Sequence, residues 1–146
     1  MSRSIANIQY LEAKNLAHWM KSADAPLFQV IDVRGSDYVG GHIKGCWNYP
    51  YRRLKVDDGY MEEMYKALNK KLEDTGSDRP LNAIFHCAQS QQRGPAAAMK
   101  LLRFLPDDKL SNFKIWVLRG GFNHWQDQYG EDQELTEDYE PDIWSW

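Results

Sequence analysis

Short apolar runs alternate along the chain with longer stretches that repeat their apolar residues at helical spacing. Leu27 to Val33 (LFQVIDV), Ala83-Ile84-Phe85 and Ile115 to Leu118 (IWVL) have the length and composition of strands buried on both faces. Ile5 to Tyr10 and Cys46 to Tyr49, the latter stopped by Pro50, predict two more. Glu12 to Lys21 predicts a helix whose broad apolar face carries Ala13, Leu16, Ala17, Trp19 and Met20, and Asp24-Ala25-Pro26 breaks it. Gly59 to Glu73 is the clearest amphipathic helix: Met61, Met64, Tyr65, Leu68 and Leu72 fall at i, i+3, i+4, i+7 and i+11, a core-facing stripe. Pro106 ends a later helix, Asp108 to Asn112 forms a short helical turn, and Gly120-Gly121 turns the backbone into a last helix with Phe122, Trp125 and Tyr129 on one face. Strands alternating with helices predict a parallel sheet covered on both faces, with ligand sites at the carboxyl ends of its strands.

The 146 residues make one domain, large enough to fold on its apolar core without disulfides or metal. The two cysteines, Cys46 and Cys87, form no C-x-x-C pair, which excludes a zinc framework and argues against a disulfide scaffold. The first residues lack the apolar core of a signal peptide, and no apolar run approaches the ~20 residues of a membrane span. A soluble protein of the cytoplasm, with entry to the nucleus open and no membrane partner, is expected, and its thiols stay reduced there. The net charge of −3 is uneven. Residues 131–146 carry seven acids and no base, which leaves 18 bases against 14 acids in the body. That balance suits an anionic ligand and falls far short of a nucleic-acid binder.

The chemistry concentrates in Asn82 to Leu105 (NAIFHCAQSQQRGPAAAMKLLRFL), which reads as a buried strand, a tight loop and a helix. Gly94 is expected as the N-cap and Pro95 as the first helical residue, followed by the strong helix formers Ala96 to Arg103. Cys87 therefore sits at the carboxyl end of a strand, facing free N–H groups and the positive end of a helix dipole. Successive loop amides can curl into an anion-binding nest. Such surroundings favour a thiolate, and the planar fork of Arg93 can clamp two oxygens.

His86-Cys87-Ala88-Gln89-Ser90-Gln91-Gln92-Arg93-Gly94-Pro95 resembles the signature loop of the cell-division-cycle-25-type dual-specificity phosphatases, and equally that of the related fungal arsenate reductases. Both belong to the rhodanese-like superfamily. Val30-Ile31-Asp32-Val33-Arg34, Asp37-Tyr38 and Gly40 to Gly45 resemble a second block of that family, and Val117 to Phe122 with Trp125 its closing block. The whole is most similar to small fungal phosphatase-like members that hold little beyond the catalytic domain. The resemblance implies a rhodanese-like three-layer α/β/α fold with a five-stranded parallel sheet. It places the catalytic domain at residues 1–130 and leaves 131–146 as an acidic, aromatic tail, expected to pack on the same domain through Trp144 and Trp146.

The resemblance further implies catalysis through a phosphocysteine, with Cys87 as nucleophile and Arg93 as phosphate clamp. The amides of Ala88, Gln89, Ser90, Gln91, Gln92 and Arg93 would bind phosphate, with His86 bracing the loop and Ser90 in support. Neither metal nor organic cofactor is implied. The sulfurtransferase branch has four residues between Cys and Arg; the five here, Ala88 to Gln92, suit a tetrahedral oxyanion and argue against sulfur transfer. The expected activity is hydrolysis of phosphotyrosyl or aryl phosphate monoesters, on a phosphorylated protein or a small aryl phosphate. The alternatives are arsenate reduction with glutathione or glutaredoxin, and a non-catalytic phosphate-binding module. A monomer or weak dimer is expected.

Three departures from the family pattern matter. The loop holds Ala88 and Gln92 where the cell-cycle phosphatases carry acids, so no loop carboxylate can protonate a leaving group. Val33 stands where they have a second cysteine, so Cys46 is read as buried filler or as a substitute resolving thiol. The tail lies outside the shared core. Asp32 and Arg34 are expected to pair and brace the sheet end, and Asp37 is a lesser candidate for an acid. His42 reads as a turn brace, and His18 and His124 as helix residues without metal partners.

Overall fold

The computed structural model describes residues 7–76 and 78–144. The expected start of the first strand at Ile5, and Trp146, lie outside them. Five parallel strands form the central sheet in the order β1-β6-β5-β2-β4: β1 (Ile8–Leu11), β6 (Phe113–Leu118), β5 (Leu81–His86), β2 (Phe28–Asp32) and β4 (Trp47–Asn48). This is the five-stranded α/β arrangement that the alternation and the resemblance predicted. A small antiparallel pair, β3 (His42–Ile43) with β7 (Thr136–Glu137), ties the acidic segment to the body.

The core lies in two layers, one on each face of the sheet. Helices α2 (Tyr51–Val56), α3 (Asp58–Thr75) and α4 (Arg93–Phe104) bury Leu54, Met61, Met64, Leu68, Ala97, Ala98 and Leu101 against one face. Helices α1 (Ala13–Lys21) and α5 (Gly121–Tyr129) bury Leu16, Ala17, Phe122 and Trp125 against the other. Strand β5, at the centre, is buried along its whole length. Its pleat sends Leu81, Ala83, Phe85 and then Cys87 into the first layer, and Ile84 into the second.

The sequence did not predict α2. Six residues after Pro50 form it, and Asp57 then caps α3 by accepting from the Tyr60 amide at 3.1 Å. The short α6 (Pro141–Trp144) sets the Trp144 indole on the body: its Nε1–H donates to the Gly40 carbonyl at 2.9 Å, and its ring lies 5.4 Å from Phe122. No helix among the described residues is long and apolar enough to cross a membrane.

Candidate active site

The loop between β5 and α4 closes around Cys87. The thiol is 3% exposed, and its Sγ accepts hydrogen bonds from the amides of Ser90 at 3.2 Å and Gly94 at 3.3 Å. Ser90 reaches that position with φ at +57°, one of two non-glycine residues with positive φ among the described residues. Helix α4 begins at Arg93, with Gln92 at the cap. That moves the expected start two residues back: Gly94 and Pro95 lie inside the first turn, where the missing proline N–H still costs nothing. Gly94 is needed for another reason. A Cβ there would press on the His86 Cα at 3.3 Å and the Cys87 amide nitrogen at 3.4 Å. The helix start and the strand end thus approach backbone to backbone, which puts the Gly94 amide on the sulfur.

The other side of the loop is fixed by α5. The Phe122 amide donates to the Cys87 carbonyl at 3.0 Å, and the Asn123 amide to the Ala88 carbonyl at 2.8 Å. In a trans peptide the N–H points opposite to the C=O, so these two bonds turn the Ala88 and Gln89 amides away from α5. Gly121, at φ +60°, permits the approach: a Cβ would come within 2.5 Å of both loop carbonyls. The glycine pair expected only to turn the chain therefore also holds the loop, a role that needs the fold to be seen.

His86 braces the same turn. Its Nδ1 lies 3.1 Å from the Cys87 carbonyl, and its ring stacks toward Phe122 at 6.5 Å. Burial pushes the imidazole below its ordinary pKa, so the ring is neutral and Nδ1 carries the donating proton. Its Nε2 and the Ser90 hydroxyl are buried atoms without a hydrogen-bond partner. At Ser90 it is the backbone amide, not the hydroxyl, that meets the thiol.

Two arginine–aspartate pairs lie at the carboxyl end of the sheet. Asp32 and Arg34 are wholly buried and pair at 2.7 Å; Arg34 also donates to the Asp37 and Gly41 carbonyls at 3.1 and 2.8 Å. The guanidinium sits on the Phe122 ring, 4.3 Å from its centroid. Both Asp32 oxygens are taken by Arg34, an architectural use that matches the expected brace. At the surface, Arg93 forks onto Asp37 through Nη1–Oδ1 at 3.0 Å and Nη2–Oδ2 at 2.6 Å. Hydrogen bonding to Arg93 holds the Asp37 carboxyl below the usual carboxylate range. The structure thus commits the Asp37 side chain, read from the sequence as a lesser candidate for an acid, to an ion pair with Arg93. The separation of 56 positions along the chain hid this pair from sequence reasoning; the only signal was a lone Asp in a glycine-punctuated turn.

Cys46 belongs to the layer opposite that of Cys87. It is a free thiol near the Tyr38 hydroxyl at 3.7 Å, and burial pushes its pKa up to about 12. That environment fits filler and disfavours a resolving thiol. His42 stacks on Tyr38 and lies 3.3 Å from Glu137, bracing the turn against the acidic segment. Among the described residues no three His, Cys, Asp or Glu side chains gather as a metal cluster.

A cysteine at the end of a central parallel strand, bonded by two backbone amides and followed by an arginine at a helix start, defines a class of protein. Residues 12–128 match the rhodanese-like domain, and the chain belongs to that family. It is 50% identical to the CDC25-like phosphatase YCH1 of Saccharomyces cerevisiae over 98% of both chains. It is 36% identical to Arsenical-resistance protein 2 of the same yeast, over 68% of this chain and 74% of that one. A solved structure described as a yeast protein tyrosine phosphatase of the Rhodanese family superposes with a TM-score of 0.90 at 50% identity, covering 97% of this chain and 99% of that one.

Proposed function

We propose that the chain is a cysteine-dependent phosphatase that hydrolyses phosphotyrosyl or other aryl phosphate monoesters through a phosphocysteine. The observation that carries this reading is the Cys87 sulfur itself, held by the Ser90 and Gly94 amides inside a ring with five residues between Cys and Arg. The likeness to a CDC25-like phosphatase over nearly the full chain supports it.

The Cys87 thiolate attacks phosphorus in line, and the aryl oxide leaves as the S–P bond forms. The Ser90 and Gly94 amides already hold the sulfur in the free protein. The remaining loop amides and Arg93 take the equatorial oxygens as charge redistributes; such donors are typically worth ~10²–10³ in rate each. Water then attacks phosphorus, the thiolate departs, and one phosphate and one phenol result per water consumed. With Ala88 and Gln92 in the loop, and the Asp37 side chain paired with Arg93, the loop offers no carboxylic acid of its own to protonate the leaving group. Substrates whose leaving groups need no proton, aryl oxides above all, are favoured.

The same feature keeps arsenate reduction as the second reading. Arsenate presents the same tetrahedral oxygens, and the likeness to Arsenical-resistance protein 2 points the same way. Cys87 would attack arsenic, and an external thiol such as glutathione would complete the two-electron reduction to arsenite, leaving the two sulfurs joined as a disulfide. Cys46, on the far layer, does not serve as the second thiol.

Purified protein is assayed for phosphate release from an aryl phosphate beside Cys87→Ser, with no metal added. Turnover in the wild type alone is expected. Absent turnover, with arsenate-dependent oxidation of glutathione in its place, replaces the first reading by the second.

A further inference from the structure

The Arg93–Asp37 pair has a geometry that matters for the oxyanion-site reading, on which this inference rests. A guanidinium has five N–H donors in a rigid fork. Asp37 takes one from each Nη, the outer end of the fork. That leaves the edge formed by Nε–H and the neighbouring Nη–H, which presents two parallel donors of its own. We propose that Asp37 is the positioning residue for Arg93: by gripping the outer end of the guanidinium it aims the Nε edge at two oxygens of an oxyanion held over Cys87.

Three observations carry this. Asp37 is itself preset. The Gly35 amide donates to its Oδ1 at 3.1 Å, and buried Arg34 donates Nη1 to its backbone carbonyl at 3.1 Å. The short helical turn Ser36–Tyr38 is thus anchored to the Asp32–Arg34 pair, which has no exposure to solvent. A continuous run of hydrogen bonds therefore leads from the sheet interior to the guanidinium. Next, Arg93 opens the helix turn that holds the thiol: its neighbour Gly94 donates its amide to the Cys87 sulfur at 3.3 Å. Finally, Arg93 is a long side chain, 36% exposed, at the first residue of a helix. Without a partner its rotamers would spread, and a ligand would bear the cost of ordering it.

The contrary arrangement is a competing carboxylate that an oxyanion must expel before Arg93 can bind. The two differ in sign, and affinity for inorganic phosphate separates them. Calorimetric titration compares wild type with Asp37→Ala and Asp37→Glu, and repeats Asp37→Ala in an Arg93→Lys background. The expected result is about tenfold weaker phosphate binding in Asp37→Ala and substantial recovery in Asp37→Glu. In the Arg93→Lys background, where no fork remains to be aimed, the Asp37→Ala effect largely disappears. Thermal midpoints should stay close to wild type, because a part-exposed pair contributes little to stability.

Unchanged or tighter binding in Asp37→Ala overturns the proposal, as does a loss of full size in the Arg93→Lys background. Failure of the wild type to bind phosphate overturns the oxyanion site itself, and this proposal with it; wild-type binding with an indifferent Asp37→Ala overturns this proposal alone.

Discussion

Two Asp–Arg pairs stand at the same end of the sheet and use the same bidentate chemistry. Asp32–Arg34 is sealed, with 0% of either side chain exposed, while Asp37–Arg93 is 42% and 36% exposed. In the sealed pair the carboxylate accepts from the Arg34 backbone as well as its guanidinium, and the guanidinium also bonds two backbone carbonyls. Nothing in it is free to meet a ligand, and breaking it leaves a charge stranded in the interior. The surface pair uses two of five guanidinium donors, and its arginine closes the loop that begins at Cys87. The sealed pair supports the site, and the surface pair belongs to it. What sets them apart is burial and spare hydrogen-bonding capacity, not residue type.

That contrast can be broken by mutation, and the largest effect is expected in the interior. Arg34→Met strands Asp32 and should destabilise the fold by ~3–5 kcal/mol, the size seen when one member of a buried pair is removed. Urea unfolding measures it, and a loss below ~1 kcal/mol would place the pair with ordinary surface ion pairs. Arg93→Lys should show the reverse profile. A point charge cannot replace the fork, so kcat/KM for an aryl phosphate should fall by ~10²-fold, with stability altered by no more than ~1 kcal/mol.

Gly121→Ala tests the loop between the pairs. Its Cβ would come 2.5 Å from the Cys87 and Ala88 carbonyls, at a φ that L side chains rarely adopt. A loss of ~1–3 kcal/mol is expected, with a fall in activity as the loop amides lose their aim; full activity would show that the loop holds its shape without α5.

The smallest effect concerns pH. His86 is buried and its pKa lies below the ordinary 6.5, so the unfolded chain binds its proton first as pH falls. Its contribution to stability is complete above 6.5 and drains away below it, down to the folded value. Urea midpoints at about pH 8 and about pH 5 should differ less in His86→Gln than in wild type. An equal difference would assign the acid lability to the carboxylates.

The sequence made much of this legible because the signals are local. Apolar runs marked β2, β5 and β6, the Met61-to-Leu72 stripe marked α3, and Cys87 to Arg93 formed a contiguous loop between a strand and a helix. The resemblance to rhodanese-like phosphatases then supplied the sheet. What escaped was non-local or marginal. Helix α2 is six residues long, too short for a period to show. The start of α4 moved to Arg93 because close packing against His86, not capping, set the place of Gly94. The Asp37–Arg93 pair and the grip of α5 on the loop join residues far apart in the chain, and no spacing announces them.

The central claim is that phosphorus becomes bonded to the Cys87 sulfur. Rapid acid quench of the enzyme mixed with an aryl phosphate, followed by mass spectrometry of the peptide that spans Cys87, tests it directly. One phosphoryl group on Cys87 in the wild type, and none in Cys87→Ser, is the predicted result. Phosphate release from the aryl ester with no such adduct, or with the phosphoryl group on another residue, would contradict the account.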